Sequence, residues 1–504
     1  MTRNTLALTA ACAALAAVTG VAALTVPDGD GTDAVARTAK RLPVERATLV
    51  CPAPAGSDVG ESTYTSFTPS GTPSEKSKKG SAALHSATRD DADEGDKGDK
   101  EAKRGKAIAG LKQPGKPVIA KTSAAQPPAL IGQAGGGFAP GWTVQQTTEI
   151  DAGDGRGLSG ARCMAPDTEF WFPGASTDKD RHDYVTLANP DAEPAVVDIE
   201  LHGKSGDLPG RTGEGITIPG HSSTEVLLST LTDEPQTNLA VKVTARSGRI
   251  GAAVRAADTK LGGDWLQASA APSPSLVIPG IPEDATSARL VAYAPGADDA
   301  DVKLRLAGPA SSIAPAGHET LHVKAGMTAA VDLGDITKGE PGSLVLTPTA
   351  SGGTPIVAAL RVTRGKGREQ ELGFIPATAP IAERGTAAGS QAKGSTLALT
   401  APGKKAAKVK VISSAGSDGG EPAEKTYEIK PGTTKSVTPP APQGLKGSFA
   451  VTVEKVSGGT VYASRTLTSK TAGAKSFTVQ GVPDDGSTVA VPEAEPDLSV
   501  LGRD

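Results

Sequence analysis

The chain has 504 residues, a formal net charge of −4 and only 3% aromatic residues. A near-neutral balance excludes a nucleic-acid partner drawn by a basic field, and it excludes a polybasic membrane patch. The length exceeds what one hydrophobic core fills, so several domains are expected, built on Val, Ile, Leu and Ala rather than on rings.

Residues 1–26 open with a single basic residue, Arg3, followed by an uncharged run from Thr5 to Val26. One early positive charge before an Ala/Leu/Val stretch is the pattern of an export signal. The run is also long enough to span a bilayer, so a cleaved signal peptide and a retained membrane anchor both remain open. Residues 27–41 read as a polar spacer. Residues 42–168 read as a first β module, with strands at Leu42 to Pro54 and Ser62 to Pro69 and again around Ala129-Leu130-Ile131 and Trp142-Thr143-Val144. From Ser74 to Lys106, 17 of 33 residues are charged and Leu84 is the only large apolar side chain. So polar a stretch offers little apolar burial to offset its ordering entropy. It reads, with its flanks, as a disordered insertion over about 67–126 that splits the module. Cys51 and Cys163 are the only cysteines of the exported body. Two cysteines in an oxidising compartment most often pair, here across the insertion.

A tandem repeat begins at residue 170. Phe170-Trp171-Phe172-Pro173-Gly174 recurs 106 residues later as Leu276-Val277-Ile278-Pro279-Gly280. Pro190, Pro295 and Pro402 each precede alternating apolar residues at the same offsets: Val197/Ile199/Leu201, Val302/Leu304/Leu306, and Val409/Val411 with Ser413. Gly220, Gly326 and Gly432 close a strand and turn with the same spacing of 106. Alternation marks strands with one buried face, and Asn189-Pro190, Pro219-Gly220 and Ser247-Gly248 supply turns between them. The fold class is therefore all-β, with tandem immunoglobulin-like β-sandwich modules at 169–275, 276–373 and 374–504 after the N-terminal apolar export or anchor segment. The roughly 100-residue period fits sandwiches arranged as beads on a string better than propeller blades, which take about 40–50 residues. The Cys…Trp…Cys signature of antibody domains is absent.

Candidate chemistry is sparse. Gly157-Leu158-Ser159-Gly160 and Gly203-Lys204-Ser205-Gly206 lack the spacing of a nucleophile elbow and read as turns. The six histidines form no ligand motif, and His182-Asp183 reads as a solvated loop. Asp151 with Asp154, and Asp28 with Asp30, lack the ligand spacing of a calcium loop. No catalytic residue, metal or cofactor is assigned. Trp171, Trp265 and Trp142 are the binding candidates, as stacking platforms for sugar rings. Burial at module joints is the competing role, because large aromatics dominate interfaces. Phe170 and Phe172, aligned with Leu276 and Ile278, are core.

The stretches Leu42-Pro43-Val44, Leu49-Val50-Cys51-Pro52, Gly157 to Cys163, Glu169-Phe170-Trp171-Phe172, Asn189-Pro190 and Asp264-Trp265 resemble an uncharacterised family of secreted actinobacterial proteins. The resemblance implies export and an envelope setting and brings no activity. The expected function is an exported, non-enzymatic scaffold or adhesion protein of the envelope or extracellular space, with an envelope protein or glycan as partner. The membrane enters only through the N-terminal segment if it is retained. A carbohydrate-binding accessory protein is the alternative, and a secreted hydrolase, with Ser, His and Asp converging from different strands, is a third.

Overall fold

The computed structural model describes residues 40–71, 80–89, 107–208, 213–471 and 474–491. The export segment and most of the spacer lie outside the described residues, as do 72–79 and 90–106 of the charged insertion. The described chain is all-β: its only helical turns are two short 3-10 segments, Leu228–Thr230 and Gly367–Glu369. Among the described residues no helix is long and apolar enough to cross a membrane. Among the described residues, Lys40–Leu42 and Val489–Val491 belong to one unit and Pro43–Thr488 to the other.

The large unit contains four modules, each with two sheets facing one another across a core. In the second module Glu169–Ala175, Leu239–Ser247 and Ala195–Gly203 form one sheet, and Gly262–Leu266, Gly251–Asp258, Arg181–Ala188 and Ser222–Leu227 the other. Alternation does what the sequence requires: Val197, Ile199 and Leu201 are 0, 5 and 5% exposed and meet Val185, Val254 and Leu266 from the facing sheet. Burying each such side chain contributes about 1.5–3 kcal/mol. The third module repeats this with Leu276–Ile281, Gly342–Pro348 and Ala300–Ala307 against Ala285–Tyr293, Val357–Arg364 and Glu371–Pro376. The fourth sets Arg384–Ser390, Phe449–Gly458 and Ala407–Ser413 against Ser395–Ala401, Tyr462–Thr471 and Ala474–Gly481. In the first, Arg46–Cys51, Leu130–Gly136 and Gly80–Ser86 face Gly60–Phe67, Thr143–Ile150 and Gly157–Arg162. The Cys51–Cys163 disulfide is present and joins these two sheets, its partners 112 positions apart in sequence.

The modules are not beads on a string. The first strand of each lies on the next module's sheet: Arg46–Cys51 on Gly251–Asp258, Glu169–Ala175 on Val357–Arg364, and Leu276–Ile281 on Tyr462–Thr471. Arg384–Ser390 then lies on Thr143–Ile150, so the fourth module returns to the first and the set closes. A glycine bulge recurs at three of these contacts, twice in the repeated Pro-Gly. Gly174, Gly280 and Gly389 have φ of +106, +85 and +78° at bulges in these first strands. A Cβ on Gly280 would sit 2.0 Å from Ser464 Oγ, so only glycine allows so close an approach. Cores cross the module boundaries as well. Leu372 and Phe374 fill the second module's core, and Phe477 and Val479 the third's. Local periodicity reports which face of a strand is buried, not which neighbour buries it.

The disordered insertion is corrected where it is described. Gly80–Ser86 is a strand at the edge of the first module's sheet, with Ala82 and Leu84 buried at 1 and 0%. Residues 107–126 are also ordered and include the strand Val118–Thr122. The uncharged Gly80 to Ala87 sits between charged flanks, and averaging over the whole stretch conceals its alternation. Thr88–Arg89 continues onto the second module as a strand parallel to Ser222–Leu227.

Candidate functional site

Four innermost strands meet at the axis of the closed set. Gly157–Arg162 packs against Gly262–Leu266 and Ala474–Gly481, and Glu371–Pro376 packs against both of those. Small residues make the approach possible: a Cβ on Gly160 would lie 2.6 Å from Thr478 Cγ2, and one on Gly373 would lie 2.7 Å from the Phe477 ring. Gly157-Leu158-Ser159-Gly160, expected as a turn, is part of an inner strand. Trp265, expected in a connection, lies on another.

Asp264 joins all four strands. The Gly160 amide donates to its Oδ1 at 3.2 Å and the Phe374 amide to its Oδ2 at 3.4 Å. The Thr478 hydroxyl reaches the two oxygens at 3.1 and 3.4 Å. The carboxyl is 1% exposed, and burial pushes its pKa from 3.8 up to about 8 against the pull of these donors. At neutral pH it is largely protonated and serves as a neutral knot. Glu371, at one end of the axis, is also buried, and desolvation raises it to about 7 against the attraction of Arg156.

Arg465 holds the seam where the fourth module meets the first. It is 0% exposed and donates to the Ala388 carbonyl and to the side-chain oxygens of Gln145 and Gln480. Ser390 Oγ lies 3.3 Å away. Burial without a carboxylate partner lowers its pKa to about 9. Gln145 comes from the first module, 320 residues away in sequence.

At the ends of the inner strands the axis opens into a cavity of about 510 Å³ to which every module contributes. The first supplies Arg46, Trp142 and Arg162, the second Gln267, the third Pro376, and the fourth Asp484 and Asp485. Gln267 Oε1 accepts from the Arg162 amide at 3.0 Å and fixes where that side chain begins. This cavity was not visible in the sequence. Its residues follow the inner strands, and only closure of the set brings them together.

The sugar-stacking role expected for the tryptophans is corrected by their burial: Trp142, Trp171 and Trp265 are 3, 5 and 2% exposed. Trp142 fills the first module's core, donates to Ser66 Oγ at 3.0 Å and only edges the cavity. Trp171 packs on Tyr293 of the next module, with ring centroids 5.5 Å apart, and donates to Glu169 Oε1. Trp265 lies against Ala161 and Ala253, between the first two modules. All three spend their surface on packing. Phe170 and Phe172 are core residues, as their alignment with Leu276 and Ile278 requires.

The remaining candidates do not assemble into a catalytic group. His182 Nδ1 is 3.6 Å from Asp154 Oδ2, beyond hydrogen-bond reach, and Ser159 Oγ turns to the Thr148 carbonyl at 3.5 Å. Asp183 is paired with Arg181, at 2.7 Å, rather than solvated. Gly203 to Gly206 is the hairpin turn expected. Asp28 and Asp30 lie outside the described residues. Among the described residues no three His, Cys, Asp or Glu side chains gather as a metal site.

These features define an all-β protein of several two-sheet modules, locked around a shared axis by a buried acid. The chain belongs to a family of unknown function, DUF5719, whose model matches residues 118–440. That match includes three of the four inner strands and ends before Ala474–Gly481. A search of curated proteins finds no match.

Proposed function

We propose that the chain is an exported, non-enzymatic scaffold of the cell envelope or extracellular space, built from immunoglobulin-like modules. The observation that carries this reading is the axis. Four inner strands, a neutral Asp264 and the seam at Arg465 spend their polar groups on one another rather than on a reacting molecule. Interlocking of all four modules suits a part that holds position more than one that turns over. The buried Cys51–Cys163 bridge supports an oxidising location. The carbohydrate-binding alternative loses its platform with the burial of the three tryptophans. The test is fractionation of cells making a tagged full-length chain and a chain lacking residues 1–26. The full chain is expected outside the cytoplasm with its cysteines oxidised, and the shortened chain inside. Recovery of the full chain in the cytoplasm with free thiols overturns the reading.

A further inference from the structure

We infer that the axial cavity is a binding site for a carboxylate, received by Arg162 and Arg46, on a compact ligand whose remainder lies along an apolar wall. Most charged groups around the cavity are already paired. Arg249, on the rim, is committed to Asp191 at 2.8 and 3.0 Å, and Arg384, behind the wall, to Asp485 at 2.7 Å. The two acids of the wall are satisfied as well. Asp484 Oδ2 accepts from the amides of Ala382, Glu383 and Arg384, and its Oδ1 from Gly486. Asp485 accepts from Arg384, from the Thr386 hydroxyl and from the Ser487 amide.

Arg162 and Arg46 are left without a direct partner, Asp485 and Asp484 attracting Arg162 only from beyond ion-pair distance. Among the described residues neither guanidinium has a carboxylate within ion-pair distance or a hydrogen-bond acceptor, and Arg162 Nε is fully buried with no partner. Arg162 Nε offers no free surface to a guest, so the donors available in the cavity are the terminal amino groups of Arg162 and the exposed guanidinium of Arg46. The flat fork of a guanidinium matches a carboxylate edge to edge.

The wall also sets the size and charge of the guest. The cavity, at about 510 Å³, lies in the range of small-molecule sites. Leu49, Met164, Pro376 and Pro483 give it an apolar side. Around it four guanidiniums (Arg46, Arg162, Arg249, Arg384) face three carboxylates (Asp191, Asp484, Asp485), one net positive charge. That balance suits a single carboxylate. A phosphate dianion would bring a second negative charge beside Asp484 and Asp485, where like charges repel.

The test follows the arginine Nε–H resonances of the full chain, with Arg162→Gln used to assign the signal of Arg162. Acetate is expected to move that signal saturably, whereas acetamide and chloride at equal ionic strength leave it in place. Hexanoate should bind about tenfold more tightly than acetate, because each methylene buried on the apolar wall adds to affinity. Inorganic phosphate should bind at least several-fold more weakly than acetate. In Arg162→Gln, hexanoate affinity monitored by Trp142 fluorescence should fall about tenfold or more. An Arg162 signal that ignores acetate, or that moves equally with acetamide or chloride, overturns the inference. Hexanoate binding no tighter than acetate removes the apolar wall from the site, and phosphate binding as tight as acetate removes the monoanion selectivity.

Discussion

Asp264→Asn tests the neutral knot at the axis. Ordinary Asp titrates at 3.8, and in the folded chain Asp264 titrates near 8. The native state therefore keeps a proton that the unfolded chain gives up between those values. Stability from this group is fully present below about pH 4 and is lost as pH rises to 8. Each pKa step corresponds to about 1.4 kcal/mol, so the part of the window between pH 5 and pH 8 is worth about 4 kcal/mol. This is an upper figure, since water entering a loosened axis would screen the charge. Asparagine keeps the shape and an acceptor oxygen but never ionises. Urea unfolding of the two proteins should agree at pH 5 within about 1 kcal/mol, and by pH 9 the Asn variant should be the more stable by several kcal/mol. Glu371, raised to about 7 by burial, adds a similar slope to both proteins and cancels in the difference. Asp264→Ala should instead lose several kcal/mol at every pH, because the Gly160 and Phe374 amides and the Thr478 hydroxyl lose their acceptor at ~1–3 kcal/mol each. A difference between wild type and Asn variant that stays constant within ~0.5 kcal/mol from pH 5 to pH 9 would refute the reasoning.

Arg465→Ala should cost ~3–5 kcal/mol by leaving the Ala388 carbonyl and two glutamine oxygens without a donor. Hydrogen exchange should then accelerate in Thr143–Ile150 and Arg384–Ser390 before the second module responds. Replacing Cys51 and Cys163 together by alanine releases a 112-residue separation, for which the chain-entropy model gives ~4–5 kcal/mol, measurable as a lower urea midpoint. Trp171→Ala should lose ~3–5 kcal/mol from the joint with Tyr293, and retention on a polysaccharide column should be the same as for wild type in the folded protein.

The strands were legible where one face is buried. The alternation of Val197, Ile199 and Leu201, and of their counterparts Val302, Leu304 and Leu306 in the next module, is the direct imprint of a half-buried sheet. The pairing of Cys51 with Cys163 followed from counting. The inner strands were not legible as strands of a shared axis: Gly157 and Gly160 are glycines because side chains of the neighbouring inner strands press on them, Gly262 and Gly263 because neighbouring backbones do, and glycine reads locally as a turn. Asp264 stood out only as a residue beside a tryptophan. Its role depends on Gly160, Phe374 and Thr478, from three other modules, and no spacing rule connects those positions. Arg162 was hidden in the same way, between Ala161 and Cys163, until the four strand ends converged on it.

Closure of the set depends on the fourth module returning to the first. Lys112 and Lys116 of the first module line one surface cavity together with Asp418 of the fourth. Zero-length carbodiimide cross-linking of the monomer, read by mass spectrometry, should join Asp418 to Lys112 or Lys116. The Lys121–Glu61 pair, 2.6 Å apart within the first module, serves as the positive control. Formation of the Lys121–Glu61 link with no link from Asp418 to either lysine would contradict the closed arrangement.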